Sequence, residues 1–337
     1  MIESGPVATR GETVHSSWQA PVFVLGAPRS GTTLLYHMLL SAGGFAVFRA
    51  ETHVFDLLGP RFGDFGKLQN RRRLLQQWIQ TKSFRVSGLD AARVEDLILN
   101  QCHGRGEFLR KIMEEIARSQ HVSRWAECTP DHLLYLDEIK KEIPDALIIH
   151  IIRDGRDVAV SAAKQGWFRT FPWHRPSAVL VAGLYWEWVV SKGCAVGRRL
   201  GADYCEVRFE QLVRDPAETL TRIGAFIAHD LNYERIRRVG IGSVSSPNTS
   251  FEPAGGEGFT PIGRWQEQLD TENKARLEYL LRNTLTSLQY PVSPVVAQTN
   301  ELELQTMKSM YLRWFETKQW WKSTAAVGRF LVSTDVV

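Results

Sequence analysis

Apolar residues fall along this chain in two kinds of run. The short runs Pro21–Leu25 (PVFVL), Ala146–Ile152 (ALIIHII) and Tyr204–Phe209 (YCEVRF) have the length of buried strands. Longer stretches repeat their apolar positions at helical spacing: Thr32–Ser41, Asp157–Lys164, Ala178–Leu200 and Leu269–Leu288. Gly43-Gly44 closes the first of these helices, and Asp215-Pro216 opens another. Ala46–Phe48 reads as a further short strand, and Trp186 and Trp188 as core aromatics of the long helix. Strands that lead into helices through short turns predict an α/β fold with a doubly wound parallel sheet.

Four stretches depart from that alternation. Residues 1–20 are polar and mixed, and read as a flexible arm ahead of a domain at 21–294. Residues 56–120 (with RRRLLQQWIQTK and ARVEDLILNQ) are helical and polar-rich, a helical insertion forming one wall of a cleft. Within it, Arg71–Arg73 reads as a solvated helix face, with guidance of an anion the alternative. Residues 243–262 are rich in Gly, Ser and Pro, either a passive loop or a lid. Residues 295–337 form a helical C-terminal extension with Trp314, Trp320 and Trp321 among Lys and Arg. Packing on the domain is its expected use; contact with a partner or a membrane surface is the alternative.

Bulk properties narrow the class. The chain has 337 residues, 44% hydrophobic and 23% charged, which suits one large folded domain rather than a disordered chain. A net charge of +4 is too small to imply nucleic acid; it reads as that of a mildly basic enzyme, with a polyanionic small ligand the alternative. Cys102, Cys128, Cys194 and Cys205 form no C-x-x-C pair, so neither a zinc site nor a disulfide framework is expected. Residues 1–20 hold no apolar signal core, and no run of about 18 apolar residues appears, so the expectation is a cytoplasmic protein without a transmembrane segment.

Two segments carry chemistry. GAPRSGTT, 26–33, lies between a strand and a helix and matches G-x-x-x-x-G-K-[ST] at Gly26, Gly31 and Thr33. Thr32 occupies the lysine position. The anion-binding physics survives, because backbone N–H groups and the helix dipole still converge on the loop. Arg29 supplies a permanently protonated fork, and Ser30, Thr32 and Thr33 add hydroxyls. The fold class is therefore P-loop-type, without the lysine and metal clamp of a triphosphate enzyme. The second segment, RDGRDVAVS, follows the strand ALIIHII. Arg153 and Ser161 there suit a second phosphate at a strand's C-terminal end. Its alternatives are a Mg²⁺ site at Asp154, as in a P-loop kinase or nucleotide hydrolase, and a salt-bridge cluster of Arg153, Asp154, Arg156 and Asp157.

Together these segments resemble the superfamily of sulfotransferases that use 3'-phosphoadenosine-5'-phosphosulfate (PAPS), with the arginine loop of the tyrosylprotein sulfotransferases and related bacterial enzymes. VRFEQLVRDP, 207–216, is similar to the family's R-Y-E-x-L-x-x-D-P block, and IGRWQEQL, 262–269, to its late glycine-tryptophan segment. The likeness runs from about residue 21 to 290. It implies that Arg29, Ser30, Gly31, Thr32 and Thr33 hold the 5'-phosphosulfate, Arg153 and Ser161 the 3'-phosphate, and Gly263, Arg264 and Trp265 cover the nucleotide. It implies no metal, and a hydroxyl-bearing acceptor. FRAETHVF is similar to G-E-E-T-R, which makes Glu51 the general base, with His53 and His132 as alternates. Two positions depart from the family. Phe209 replaces a tyrosine. In AECTPDH, 126–132, Cys128 replaces a lysine thought to steady the sulfuryl group. That leaves Arg29 more of the task, brings in another cation, or marks an idle relative that only binds the nucleotide.

Overall fold

The computed structural model describes residues 20–168, 170–173, 176–246, 261–293 and 300–323. The expected arm, except Ala20, lies outside them. So do residues 247–260 of the expected lid and both ends of the C-terminal extension.

Strands β1 (Val22–Leu25), β2 (Ala126–Glu127), β3 (Leu147–Ile152) and β4 (Tyr204–Arg208) form a parallel sheet in the order β2-β1-β3-β4. Phe23 faces Ile148 and Ile149 faces Cys205 across the ladders. The two-residue period of a strand assigns the side chains to two cores. Val22, Val24, Ile149 and Ile151 pack with Leu35 and Leu39 of the helix Thr32–Ala42. Phe23, Leu25, Ile148 and Ile152 pack on the opposite face with Leu180, Leu184 and Trp186 of the helix Ala178–Gly197. Both faces are thus covered, as a parallel sheet requires.

One expected strand is absent. Ala46–Phe48 is not a strand; Phe45 makes a single bridge to Arg124, and the Ala46 N–H donates to the Arg124 carbonyl at 2.8 Å. The sheet edge is instead taken by Ala126–Glu127, too short for a hydrophobic period to announce. The helix after β3 starts at Gly155 rather than Asp157, because Asp154 caps it by accepting the Arg156 N–H.

Residues 54–119 are largely helical, the longer helices being Leu68–Trp78, Ala91–Gln101 and Arg105–Ser119. Arg71 is no solvated face: it is buried and donates to the carbonyls of Phe65, Gly66 and Leu99, tying two helices together. The segment Ala178–Asp203 is long and apolar enough to cross a membrane by composition, yet 72% of its most apolar window is buried inside the fold. Along it lies the helix Glu301–Ser323, which buries Leu304, Met307, Tyr311 and Phe315. The Trp188 indole also donates to Glu316 at 2.7 Å.

Candidate active site

The C-terminal ends of the four strands carry the loop 26–31, the segment 128–132, Arg153-Asp154 and Phe209. This is the edge of an open parallel sheet where ligands bind. At the loop, the backbone turns so closely that a Cβ at Gly26 would sit 2.5 Å from the Ile151 carbonyl oxygen. Gly31 has φ 97°, and a Cβ there would lie 2.4 Å from the Phe209 ring. Arg29 also has a positive φ, 74°. The helix that follows has no side-chain cap, and the buried Ser30 hydroxyl meets no partner among the described residues. Uncapped N–H groups and an orphaned buried hydroxyl are what an anion would satisfy.

The residues of the two segments meet. Arg29 Nε donates to Ser161 Oγ at 3.0 Å, and Arg153 Nη1 donates to the Arg29 carbonyl at 3.1 Å. The buried Arg153 guanidinium lies 4.5 Å over the Phe209 ring, which wedges between it and Gly31. The phenylalanine thus packs the loop where the family's tyrosine would add a hydroxyl. Burial lowers the Arg153 pKa, and Asp157, 4.0 Å away, partly offsets this. Arg153 Nη2 also donates to the Pro261 carbonyl at 2.5 Å. Asp157 accepts the N–H groups of Gly263 at 2.7 Å and Trp265 at 3.0 Å, so Gly263, Arg264 and Trp265 are fastened over this end of the site.

Arg156 and Asp154 have structural duties. Arg156 is buried between Asp154 and Glu278 under the Trp265 ring, 4.1 Å from its centroid. Asp154 receives three bonds from Arg156, which answers both of its oxygens. That geometry favours the salt-bridge reading of these two residues over a Mg²⁺ ligand.

Glu51 opens onto a cleft of about 420 Å³ that also shows Thr33, Tyr36, Arg49, Lys82 and Cys128. Its Oε2 lies 3.1 Å from His53 Nε2, and His53 Nδ1 lies 3.0 Å from Asp56 Oδ2. Asp56 Oδ1 lies 3.2 Å from His132 Nε2, whose Nδ1 lies 3.2 Å from Glu127. Five ionisable groups therefore run from an exposed carboxylate to a fully buried one. Burial alone would lower both histidines. Asp56 and Glu51 outweigh it at His53, raised to about 10, and Glu127 and Asp56 do so at His132, raised to about 9. His132 is completely buried, which removes it from contact with an acceptor. His53 has φ 50° and heads a π-helical turn, Val54–Leu58, a pair of irregularities that often marks functional sites. Burial, then Glu127 and Glu51, raise the Cys128 thiol well above its usual range, so it stays neutral.

Pro28 of the same loop forms part of a larger cavity of about 640 Å³. Asp56 and Asp131 contribute its acids, and the rest is mostly aromatic. Asp131 accepts the Tyr185 hydroxyl at 3.0 Å, and burial, then Asp56, raise its pKa. Nothing in the motifs singled out Asp131. The one signal is its place in the block TPDH beside the departing Cys128.

A family model described as the sulfotransferase family matches residues 21–233. No curated protein matches the chain. Among solved structures, the sulfotransferase domain from the curacin biosynthetic pathway is similar over 81% of this chain and 98% of its own, at 16% identity and a TM-score of 0.51. The sulfotransferase domain of the Synechococcus PCC 7002 olefin synthase covers 88% and 94%, at 17% identity and a TM-score of 0.49. Sulfotransferase STF9 from Mycobacterium avium covers 81% and 78%, at 16% identity and a TM-score of 0.45. At such identity, the likeness to the curacin domain speaks for the fold.

Proposed function

This chain belongs to the sulfotransferase family, and on that premise we propose that it moves a sulfuryl group from PAPS to the hydroxyl of a small-molecule, glycan or lipid acceptor, giving a sulfate ester and 3',5'-ADP. The observation that carries the reading is the junction of two anion-binding segments: Arg153 on the Arg29 carbonyl and Arg29 on Ser161. One adenosine donor with phosphates at both ends would be gripped by both. The uncapped helix and the unpartnered Ser30 hydroxyl fit its 5' end.

PAPS supplies an activated sulfuryl group on a phosphate leaving group. The chain then has three tasks: alignment, proton removal and neutralisation of developing charge. Loop N–H groups, Ser30, Thr32 and Thr33 align the 5' end. Arg29 faces the charge that develops on the leaving phosphate. Glu51 takes the acceptor proton, a role worth about 10²–10⁴-fold, and His53 holds its carboxylate. A neutral Cys128 thiol cannot act as the family's lysine does. Arg49 and Lys82, which share the Glu51 cleft, are the cations at hand.

Cys128 is also the observation that favours an idle, nucleotide-binding relative. Labelled-sulfate transfer from PAPS to a panel of hydroxyl acceptors separates the two. Glu51→Gln should lower turnover by about 10²–10⁴-fold with nucleotide binding intact; normal turnover removes Glu51 from the role. Saturating 3',5'-ADP should raise the unfolding temperature, since 100-fold excess over Kd adds about 2.7 kcal/mol. No shift would count against the donor assignment.

A further inference from the structure

The cavity behind Pro28 names a class of acceptor. Its lining is drawn from segments far apart in sequence, among them Phe168, Phe171, Tyr185, Trp188, Tyr311 and Trp314. Several of these rings already sit face to face or edge to face. Phe171 stacks on Tyr311 with centroids 4.7 Å apart, and Tyr185 meets Trp188 at 5.6 Å. Such walls favour a flat ring system over a sugar or a peptide backbone, because stacked π-faces reward planar partners and leave polar groups unanswered.

The cavity is also charged at chosen points. Lys318 and Lys322 line it from one face of the helix Glu301–Ser323. They stand four apart, so their charges repel. Among the described residues neither makes an ion pair or a hydrogen bond. Asp131 is the acid nearest in effect, but its carboxylate is engaged by Tyr185. Lys318 is exposed and Lys322 half-buried, so the two like charges stand at the rim of the cavity, where an anion brought in with the ligand can pair with both. The helix that carries them lies beyond the residues the family model matches, 21–233.

Two residues of the cavity's lining adjoin the groups assigned to transfer. Pro28 precedes Arg29, and Asp56 is one imidazole away from Glu51. Resting on the sulfuryl-transfer reading, we infer that this cavity is the acceptor site and that its substrate class is a planar, ring-bearing alcohol or phenol carrying an acidic group. The rings lie on the aromatic walls, the acid meets Lys318 and Lys322, and the hydroxyl is presented past Pro28, toward Arg29 and Glu51.

The test uses the whole chain and two probes, 6-hydroxy-2-naphthoic acid and its uncharged counterpart 2-naphthol. Binding is followed by quenching of tryptophan fluorescence, since Trp188 and Trp314 line the site. The acid should bind the wild type more tightly than 2-naphthol. Lys318→Glu with Lys322→Glu should weaken the acid by about tenfold or more and spare 2-naphthol. Leu134→Trp, which fills the cavity, should weaken both probes by about tenfold or more. The 3',5'-ADP unfolding shift should be unchanged in both variants, which also reports that they fold. Equal binding of the two probes, untouched by the lysine reversal, overturns the acidic class. Probe binding indifferent to Leu134→Trp overturns the cavity. A nucleotide shift without probe binding removes the ring site and keeps the donor reading. Probe binding without a nucleotide shift does the reverse.

Discussion

The proposed donor side and the proposed acceptor side of this molecule are assembled in opposite ways. The donor side comes from contiguous segments: 26–33 behind β1, 153–161 behind β3, and 261–265 laid across them. Its contacts are largely to backbone, so its geometry follows from tight turns and strand ends. The aromatic cavity collects side chains from Pro28 to Lys322, and no two of its walls share a motif. A site made of backbone turns leaves a spelling in the sequence. A site made of side chains from distant helices leaves only a composition.

If that contrast is right, the donor side should fail sharply when one member is removed. Arg153→Ala takes away a buried cation that joins the loop, the Pro261 turn and Asp157. Turnover should fall by about 10²–10³-fold, the scale of one lost preorganised donor. The 3',5'-ADP unfolding shift should vanish while 2-naphthol still quenches. A retained nucleotide shift would mean that Arg153 braces the loop without gripping a phosphate. Gly31→Ala should follow in size. The added methyl meets the Phe209 ring and the backbone must hold φ 97°, a strain of about 1–3 kcal/mol. Calorimetry should show a lower melting temperature and weaker nucleotide binding. Unchanged values would show that Phe209 can give way.

Reading the chain in order exposes the same divide. Strands β1 and β3 were legible because buried parallel strands have a dense apolar signature, β4, only partly buried, by its short run YCEVRF ahead of Asp215-Pro216, and the loop 26–33 because its glycines are placed by sterics. β2 was not, since two residues carry no period. The helical character of 56–119 was plain, yet the clamp made by Arg71 was not, because an arginine among polar neighbours looks solvated until its carbonyl partners are known. Asp131 and the lysines of the last helix were equally silent. Each becomes meaningful only when Tyr185, Pro28 and the helix Glu301–Ser323 are brought together in space.

Between the two sides lies the chain of carboxylates and imidazoles, and His53 is its hinge. The family stretch resembled by FRAETHVF has arginine at this position, so His53→Arg is the conservative change and His53→Gln the disruptive one. With His53→Gln, turnover should fall by about tenfold, at the low end of what a lost hydrogen bond to a charged group costs, and the KM for PAPS should stay put. His53→Arg should restore most of it. A drop in both variants together with a weaker nucleotide shift would assign His53 to folding instead of to Glu51.

A further effect should be one of pH on stability. His53 and His132 are held at about 10 and about 9 by the acids around them, above the ordinary histidine value of about 6.5. A group whose folded pKa is raised adds stability that is complete below its unfolded pKa and is lost as pH climbs through its folded pKa. The melting temperature should therefore decline from about pH 6.5 to 9 as His132 releases its proton. His132 Nε2 lies 3.2 Å from both the Phe55 N–H and Asp56 Oδ1: protonated it can donate to Asp56, and neutral at Nε2 it can only accept from Phe55. Buried His150, lowered to about 4, acts in the opposite direction, adding stability above about pH 6.5 that is lost as pH falls toward 4. The measurement is best made as a difference between wild type and His132→Gln across pH 6 to 9, where that opposing group is already neutral. The wild type should lose its advantage as pH rises. A difference that stays flat or grows would mean that His132 is neutral in the fold, and that Asp56 is held by His53 alone.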